Sequence, residues 1–292
     1  LSVPERDGYE FAGWALTKDA ADGVMEDLTG QSASGGLTIY AVWNEIYKIS
    51  YELNGGQADG NPEAYTIASE TIRLNRPTRE GYEFLGWTGT DLKEPAIEVV
   101  IETGSTGNRS YTANWKAIEY TIHYELNGGI VTETPGNPDS YTIESSSIML
   151  QNPTREGYEF CGWTGTDLKE PTLEVVIGAG STGERSYSAN WKAITYTISY
   201  ELNGGTNANA NPAVYTIEDN DVTLVAPTRE GYTFSGWTWE GQTEPTVTAV
   251  ISKGSTGNKS FTANWMANTY TIHFVGGDGT EGSTVDVSAT YD

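Results

Sequence analysis

The chain has 292 residues and carries 16 basic against 40 acidic side chains, for a formal net charge of −24. A surface this acidic repels phosphate backbones and anionic lipid head groups, so we expect neither nucleic-acid binding nor membrane-surface binding. No run of 18 apolar residues occurs, which argues against membrane insertion, and the single cysteine, Cys161, excludes an intrachain disulfide. The chain opens at Leu1 without a signal sequence, so we expect a segment of a longer protein.

One motif, Gly-Tyr-x-Phe-x-Gly-Trp, is written four times along the chain. It occupies residues 8–14, 81–87, 157–163 and 231–237, at intervals of 73, 76 and 74 residues. An internal period of this length predicts tandem small domains. An array of copies of one module is typical of proteins that need length or several binding sites, and less typical of proteins with a single active site.

The copy at residues 47–119 gives the predicted elements in chain order. Alternation of apolar and polar residues over 47–53 predicts a half-buried strand, and Asn54-Gly55 after it is typical of a tight hairpin turn. A Pro-Thr-Arg-Glu-Gly break at 77–81 precedes three closely spaced aromatic residues. Further strands are predicted at residues 64–67 (with 71–74 as a continuation), 97–101 and 110–115, the last with Tyr111, Ala113 and Trp115 inward. No segment has helical periodicity, so the unit is predicted to be mainly β with at most one short helix.

The division into units depends on the choice of register. Starting each unit at the Tyr-x-Ile strand gives three whole repeats (47–119, 120–195, 196–269) and two partial ones (1–46, 270–292). Starting near Pro4, Pro77, Pro153 and Pro227 gives four nearly complete copies instead. In either register the links after each final Trp are three or four residues long, too short for flexible tethers. Neighbouring units should therefore hold a fixed angle, giving an elongated rod on the order of 100 Å.

The motif resembles a known family of bacterial repeats. Pro-Thr-x-x-Gly-Tyr-x-Phe-x-Gly-Trp followed by Tyr-x-Ala-x-Trp, as at residues 77–87 with 111–115 and 153–163 with 187–191, is similar to the Listeria–Bacteroides repeat family, which includes the B-repeats of listerial internalins. The resemblance implies a small β-grasp-like module, an extracellular location on a bacterium, and a role in stalks or adhesins. It supplies no catalytic residues to carry over.

Candidate chemistry is sparse. Cys161 and His123 could be imagined as a thiol–imidazole pair, but the other copies replace both residues freely, so we do not predict a nucleophile. Acidic loops at residues 218–221 and 278–281, together with those of Asp91 and Asp167, offer oxygen ligands without the spacing of a calcium-binding loop. No cofactor is predicted, and calcium is the one ion left open.

Three residues are singled out as possible ligand contacts. Trp239 is an extra tryptophan where other copies have Gly89 and Gly165, and we expect it to be exposed in a loop. Asp91 and Asp167 belong to acidic loops that are alike in two copies, since 22 of 25 positions match between residues 77–101 and 153–177. The recurrent Trp and Tyr residues are predicted to be core anchors of a small domain instead.

The sequence thus favours a non-enzymatic stalk or spacer segment of an adhesin-like bacterial cell-surface protein, extracellular and monomeric. The alternative is a multivalent binding module for a host glycan, mucin or protein. Loops kept alike between copies would favour the alternative, yet the copy at 196–269 rewrites its loop as residues 238–243.

Overall fold

The computed structural model describes residues 2–20, 24–25, 35–274 and 285–291, and the regular elements in these ranges are all β-strands. Residues 1–46 contribute β1 (Tyr9–Ala15) and β2 (Tyr40–Glu45). Residues 47–119 contribute β3 (Tyr47–Glu52), β4 (Ala64–Tyr65), β5 (Ile72–Arg73), β6 (Tyr82–Gly89), β7 (Val100–Ile101) and β8 (Arg109–Ala117).

The same succession follows twice more. Residues 120–195 contribute β9 (Tyr120–Glu125), β10 (Ser140–Tyr141), β11 (Ile148–Met149), β12 (Tyr158–Gly165), β13 (Val176–Ile177) and β14 (Arg185–Ala193). Residues 196–269 contribute β15 (Tyr196–Glu201), β16 (Val214–Tyr215), β17 (Val222–Thr223), β18 (Tyr232–Trp239), β19 (Gln242–Thr246), β20 (Val250–Ile251) and β21 (Lys259–Ala267). The chain closes with β22 (Thr269–Ile272) and β23 (Val287–Thr290). The predicted mainly β tandem array is confirmed; the β-grasp likeness stays a prediction.

Each repeat is organised around a parallel pair made by its first and last long strands. In the repeat 47–119 the sheet order is β4-β3-β8-β6, with β3 parallel to β8 and β6 antiparallel to β8. A bulge interrupts the β6–β8 register between Phe84 and Gly86. The repeat 196–269 has the same order with β19 added beyond β18. Because a parallel pair needs a long crossover, the remaining strands of the repeat all lie between its two central strands in sequence.

Two predicted strand pairings are wrong. Asn54 and Gly55 have positive φ angles of 49° and 83°, as an Asn-Gly turn requires, but β3 does not continue into a hairpin there. Its antiparallel partner β4 comes after a longer loop, and the Asn54 amide instead donates to the Ala113 carbonyl at 3.0 Å. The predicted continuation at 71–74 is a separate element, since β5 pairs with β7 in a second small sheet.

Aromatic side chains fill the core of each repeat. Trp87, Trp163 and Trp237, which end the motif in the three whole repeats, are fully buried with 0% exposure, whereas Trp14 of the first motif is half-buried. Around Trp87 the buried residues are Ile49, Tyr65, Leu74, Val99, Ile101, Tyr111 and Ala113. Trp115, expected inward with them, is only half-buried at the core margin, where its indole donates to the Leu53 carbonyl at 2.9 Å. A unit this small depends on such large side chains for its stability.

The chain divides into two compact units, and their boundary falls inside the repeat 120–195. One unit comprises Leu1–Thr121, Ser140–Ser147 and Gly178–Gly183, and the other comprises Ile122–Asp139, Ile148–Ile177 and Glu184–Asp292. Segments 140–147 and 178–183 of this repeat thus associate with the repeat before it.

Candidate functional site

A recurring hydrogen bond pins the link between successive repeats. The residue that follows the last strand donates its backbone N–H to the carbonyl of the first motif glycine, always at 2.9 Å: Ile46 to Gly8, Ile118 to Gly81, Ile194 to Gly157 and Asn268 to Gly231. Strands end immediately before these residues, so almost no free chain is left in the link. Each short link is therefore held at its start by a backbone hydrogen bond, and we call this arrangement a corner.

The same glycine receives a side chain from the next repeat. Gly81 has a φ of +74°, and a Cβ built on it would lie 2.6 Å from Ile143 Cδ1 and 2.9 Å from Ile143 Cβ. Gly157 at φ +77° faces Ile217 in the same way, at 2.5 Å from its Cδ1. We call each such contact, with the corner glycine on one side and the isoleucine on the other, a joint. No other residue type combines this φ with room for the isoleucine.

A tyrosine and an arginine complete the corner. The Arg79 guanidinium lies 3.6 Å from the centroid of the Tyr82 ring, a cation–π contact repeated by Arg155 with Tyr158 at 3.7 Å. The Tyr82 hydroxyl donates to Glu144 of the next repeat at 2.9 Å, and this bond raises the pKa of Tyr82. In the following joint Tyr158 donates to Glu218 at 3.1 Å. Each arginine therefore contacts a tyrosine of its own repeat, and the hydroxyl of that tyrosine donates a hydrogen bond to the next repeat.

The first and last corners are built differently. Gly8 meets nothing within 4 Å of an added Cβ, and Ile67, the counterpart of Ile143, is 47% exposed. The contact there is polar, since the buried Thr66 hydroxyl donates to Glu10 at 3.1 Å. At the last corner the ring of Tyr291 lies against Gly231, where the other joints have isoleucine.

Asp91 and Asp167 each form an ion pair with an arginine of their own repeat. Arg109 Nη1 lies 2.7 Å from Asp91 Oδ2, and Arg185 Nη1 lies 2.8 Å from Asp167 Oδ2. The arginine side chains are 12% and 13% exposed, whereas the aspartates are 75% and 77% exposed. Both aspartates have a φ of 62°, so the loop places the carboxylate where it covers a nearly buried cation. This arrangement gives the two residues a structural role.

Trp239 does not lie in a loop. It ends β18, pairs with Gln242 of β19, and is half-buried with its ring centroid 5.5 Å from that of Phe261. The reason is steric: a Cβ at Gly89 would overlap the Ser110 carbonyl, so a tryptophan at this position requires a different backbone course. The additional hairpin of β18 with β19 provides it. Trp239 still lines a concavity of about 250 Å³ and is accessible from it.

The remaining candidates are not brought together. His123 lies on β9 and Cys161 on β12, and β14 runs between them, which places their strands about 10 Å apart. Among the described residues no group of three or more His, Cys, Asp or Glu side chains could hold a metal ion. The acidic loop at 278–281 lies outside the described residues, and Asp219 of the loop 218–221 accepts from the Thr216 backbone N–H at 2.6 Å.

Sequence reasoning missed the joints. Two signals were available in the chain: the corner glycine is preceded by Arg at the same distance in every copy, and Tyr-Thr-Ile recurs at 65–67, 141–143 and 215–217. Neither signal says that the isoleucine of one repeat meets the glycine of another. That pairing depends on how the link turns the chain.

Small all-strand repeats, each ending in the same hydrogen-bonded corner, define a tandem-repeat β protein. The profile of the Listeria–Bacteroides repeat domain matches residues 1–42, 47–112, 120–172 and 196–264. The chain belongs to this family. Repeats of this kind are typical of bacterial surface proteins, and the family is not known for enzymatic activity.

Three relatives extend the comparison. Two proteins of Evansella cellulosilytica, provisionally named a Gly-rich membrane protein and a membrane protein, are 29% and 31% identical over 98% and 83% of the chain. Internalin H of Listeria monocytogenes is 25% identical over 37% of the chain, which is 19% of the internalin. The chain spans about a third of the length of the two Evansella proteins, at 33% and 35%. Within the described part of the chain, no helix has the length and apolarity that a membrane span requires.

Proposed function

We propose that this chain is a non-enzymatic spacer segment of an adhesin-like bacterial surface protein, extracellular and monomeric. One observation carries the proposal: the corner glycine of a repeat is hydrogen-bonded to the link and covered by the next repeat's isoleucine, at Gly81 and again at Gly157. A contact of this kind fixes the angle between neighbouring repeats. When the angle is the same at every joint, the length of the array grows with the number of repeats, and length is what a spacer supplies.

The surface charge supports the same use. A net charge of −24 over 292 residues keeps neighbouring copies of the protein apart and opposes self-association. The relatives' membrane-protein names and the family's occurrence on bacterial surfaces support placement outside the cell. The functional quantity of a spacer is its length and stiffness, with adhesion contributed by other parts of the full protein.

Small-angle X-ray scattering of the 292-residue chain tests this proposal. A maximum dimension on the order of 100 Å or more, unchanged by calcium or by a chelator, is the expected result. A compact particle would contradict the proposal, because fixed joints would then fold the repeats back on one another. A dimension that changes with calcium would also contradict it and would direct attention to the acidic loops.

A further inference from the structure

The repeat 196–269 differs from the others at four positions whose residues contact one another in the repeat 47–119, where Arg109 bonds Asp91 and Gly89 packs on Tyr111. Where the repeats 47–119 and 120–195 have Gly, Asp, Arg and Tyr, the repeat 196–269 has Trp, Gly, Lys and Phe. The positions are 89, 165 and 239; 91, 167 and 241; 109, 185 and 259; and 111, 187 and 261. Together the changes remove the acid that engages the buried cation, retain a cation, and add a large aromatic ring beside it. The other two repeats therefore serve as internal references for this site.

In the repeat 196–269 the cation at this strand position, Lys259, lacks the aspartate that pairs with the arginine of the other two repeats. Arg109 and Arg185 each bond an aspartate at 2.7 Å and 2.8 Å. Lys259 takes the same strand position, and Gly241, which has no side chain, takes the position of the aspartate. Among the described residues Lys259 forms no salt bridge, and its half-buried side chain lines the concavity that Trp239 also lines. A lysine that lines a concavity and forms no salt bridge there can pair with an incoming carboxylate.

The rest of the lining is what a sugar requires. Trp239 is held by Phe261 from within and lines the concavity of about 250 Å³, the scale of one monosaccharide. Around it are hydroxyl, amide and carboxylate groups that can bond sugar hydroxyls: Ser252, Ser255, Asn258, Ser260 and Glu240. Glu240 accepts from hydroxyls and repels a carboxylate, so the carboxylate must be directed toward Lys259. An aromatic wall with a few directed polar groups is the usual composition of a small-molecule site.

We propose that the repeat 196–269 binds a sugar residue bearing a carboxylate, of the uronic or sialic acid class, with its ring on Trp239 and its carboxylate at Lys259. The site is independent of the spacer proposal, because it uses none of the corner glycines or isoleucines. A single acidic-sugar site on one repeat would give the spacer one point of contact with an acidic glycan.

Titration of the 292-residue chain with a matched pair of probes tests the site. Methyl glucuronide and methyl glucoside differ in one carboxylate, and the indole N–H signals in ¹H–¹⁵N NMR spectra report binding at Trp239, whose signal is assigned with Trp239→Phe. We expect saturable shifts of the Trp239 signal with the glucuronide, with a dissociation constant in the millimolar range or below, and at least tenfold weaker binding of the glucoside. N-acetylneuraminic acid methyl glycoside as a third probe separates the two acid classes.

Three variants separate the site from general effects. Gly241→Asp returns an acid to the turn position that Asp91 and Asp167 hold, at a similar positive φ (83° against 62°), and keeps Trp239. Lys259→Gln removes the cation. Each variant should weaken glucuronide binding at least tenfold. Lys259→Arg should retain it. The melting temperature of each variant shows whether the fold is kept. Equal binding of the two sugars, unchanged binding in Gly241→Asp with the fold intact, or no shift at the Trp239 signal up to about 50 mM sugar would each overturn the proposal.

Discussion

A single methyl group at a corner glycine should test whether the joint contributes to stability. Gly157→Ala places a Cβ 2.5 Å from Ile217 Cδ1 and 3.0 Å from Ile217 Cβ, so the isoleucine cannot escape by rotating its terminal methyl alone. The φ of +77° adds about 1–2 kcal/mol of backbone strain for an L-residue. Displacing the isoleucine adds about 1–3 kcal/mol, the usual cost of overpacking. The total expected loss in the free energy of unfolding is about 2–5 kcal/mol.

Gly180→Ala is the matched control for the backbone strain. Gly180 lies in the same repeat with a φ of +79°, and nothing lies within 4 Å of its added Cβ. It should lose only about 1–2 kcal/mol. Equilibrium urea denaturation followed by tryptophan fluorescence measures both variants, with the slope of each transition checked against the wild type.

The double variant Gly157→Ala with Ile217→Ala isolates the contact. Because Ile217→Ala removes the Cδ1 and Cγ2 contacts at 2.5 and 3.2 Å and leaves only the Cβ contact at 3.0 Å, the double variant should be more stable than the sum of the two single losses predicts, by at least about 1 kcal/mol. Equal losses for Gly157→Ala and Gly180→Ala, together with additivity within about 0.5 kcal/mol, would refute the reasoning.

Three further predictions follow from single contacts. The Trp237 indole N–H is buried without a hydrogen-bond partner, whereas the Trp163 indole in the preceding repeat donates to an asparagine. Ala226→Asn places an asparagine at the equivalent position and should raise the free energy of unfolding by about 1 kcal/mol. A lower free energy of unfolding would show that the new amide does not reach the indole. Burial raises the pKa of Tyr200 to about 12. The stability that its neutral hydroxyl contributes is present below pH about 10, the ordinary tyrosine pKa, and is lost as the pH rises toward 12. Tyr200→Phe should therefore flatten the alkaline denaturation curve measured by circular dichroism. Asp167→Asn removes the charge that covers Arg185, at a cost of about 1 kcal/mol, and should lower the melting temperature of its repeat by about 4–8 °C. An unchanged melting temperature would show that this ion pair does not stabilise the repeat.

Much of the repeat could be predicted from the chain because each copy repeats the same local chemistry. Alternation at 47–53 predicts β3 well, and the aromatic spacing of the motif predicts a buried Trp87. The positive φ angles of Asn54 and Gly55 follow from the same local rules. The pairing of β3 does not follow from local rules, because β3 lies beside the parallel strand β8, which is at the other end of the repeat in sequence.

The site was harder to predict for the same reason. The replacement of glycine by Trp239 is visible in the sequence, but its half-buried position depends on the added strand β19 and on Phe261, far along the chain. Likewise the isoleucine of a joint looks like an ordinary strand residue until the corner glycine of the preceding repeat is known to face it. Long-range contacts of this kind have no local signature.

The most direct test of the fixed joint is a distance measurement across it. Spin labels at Lys169→Cys, in a loop, and Thr243→Cys, in β19, occupy equivalent sequence positions in successive repeats, and both native residues are exposed. The native thiol is removed as Cys161→Ser, the residue that stands at position 235 in the next repeat. Double electron–electron resonance should give one narrow distance distribution, no broader than that of a control pair at Thr243→Cys and Lys253→Cys within one repeat. A broad or bimodal distribution across the joint, with a narrow control, would contradict the account of this chain as a spacer with fixed angles.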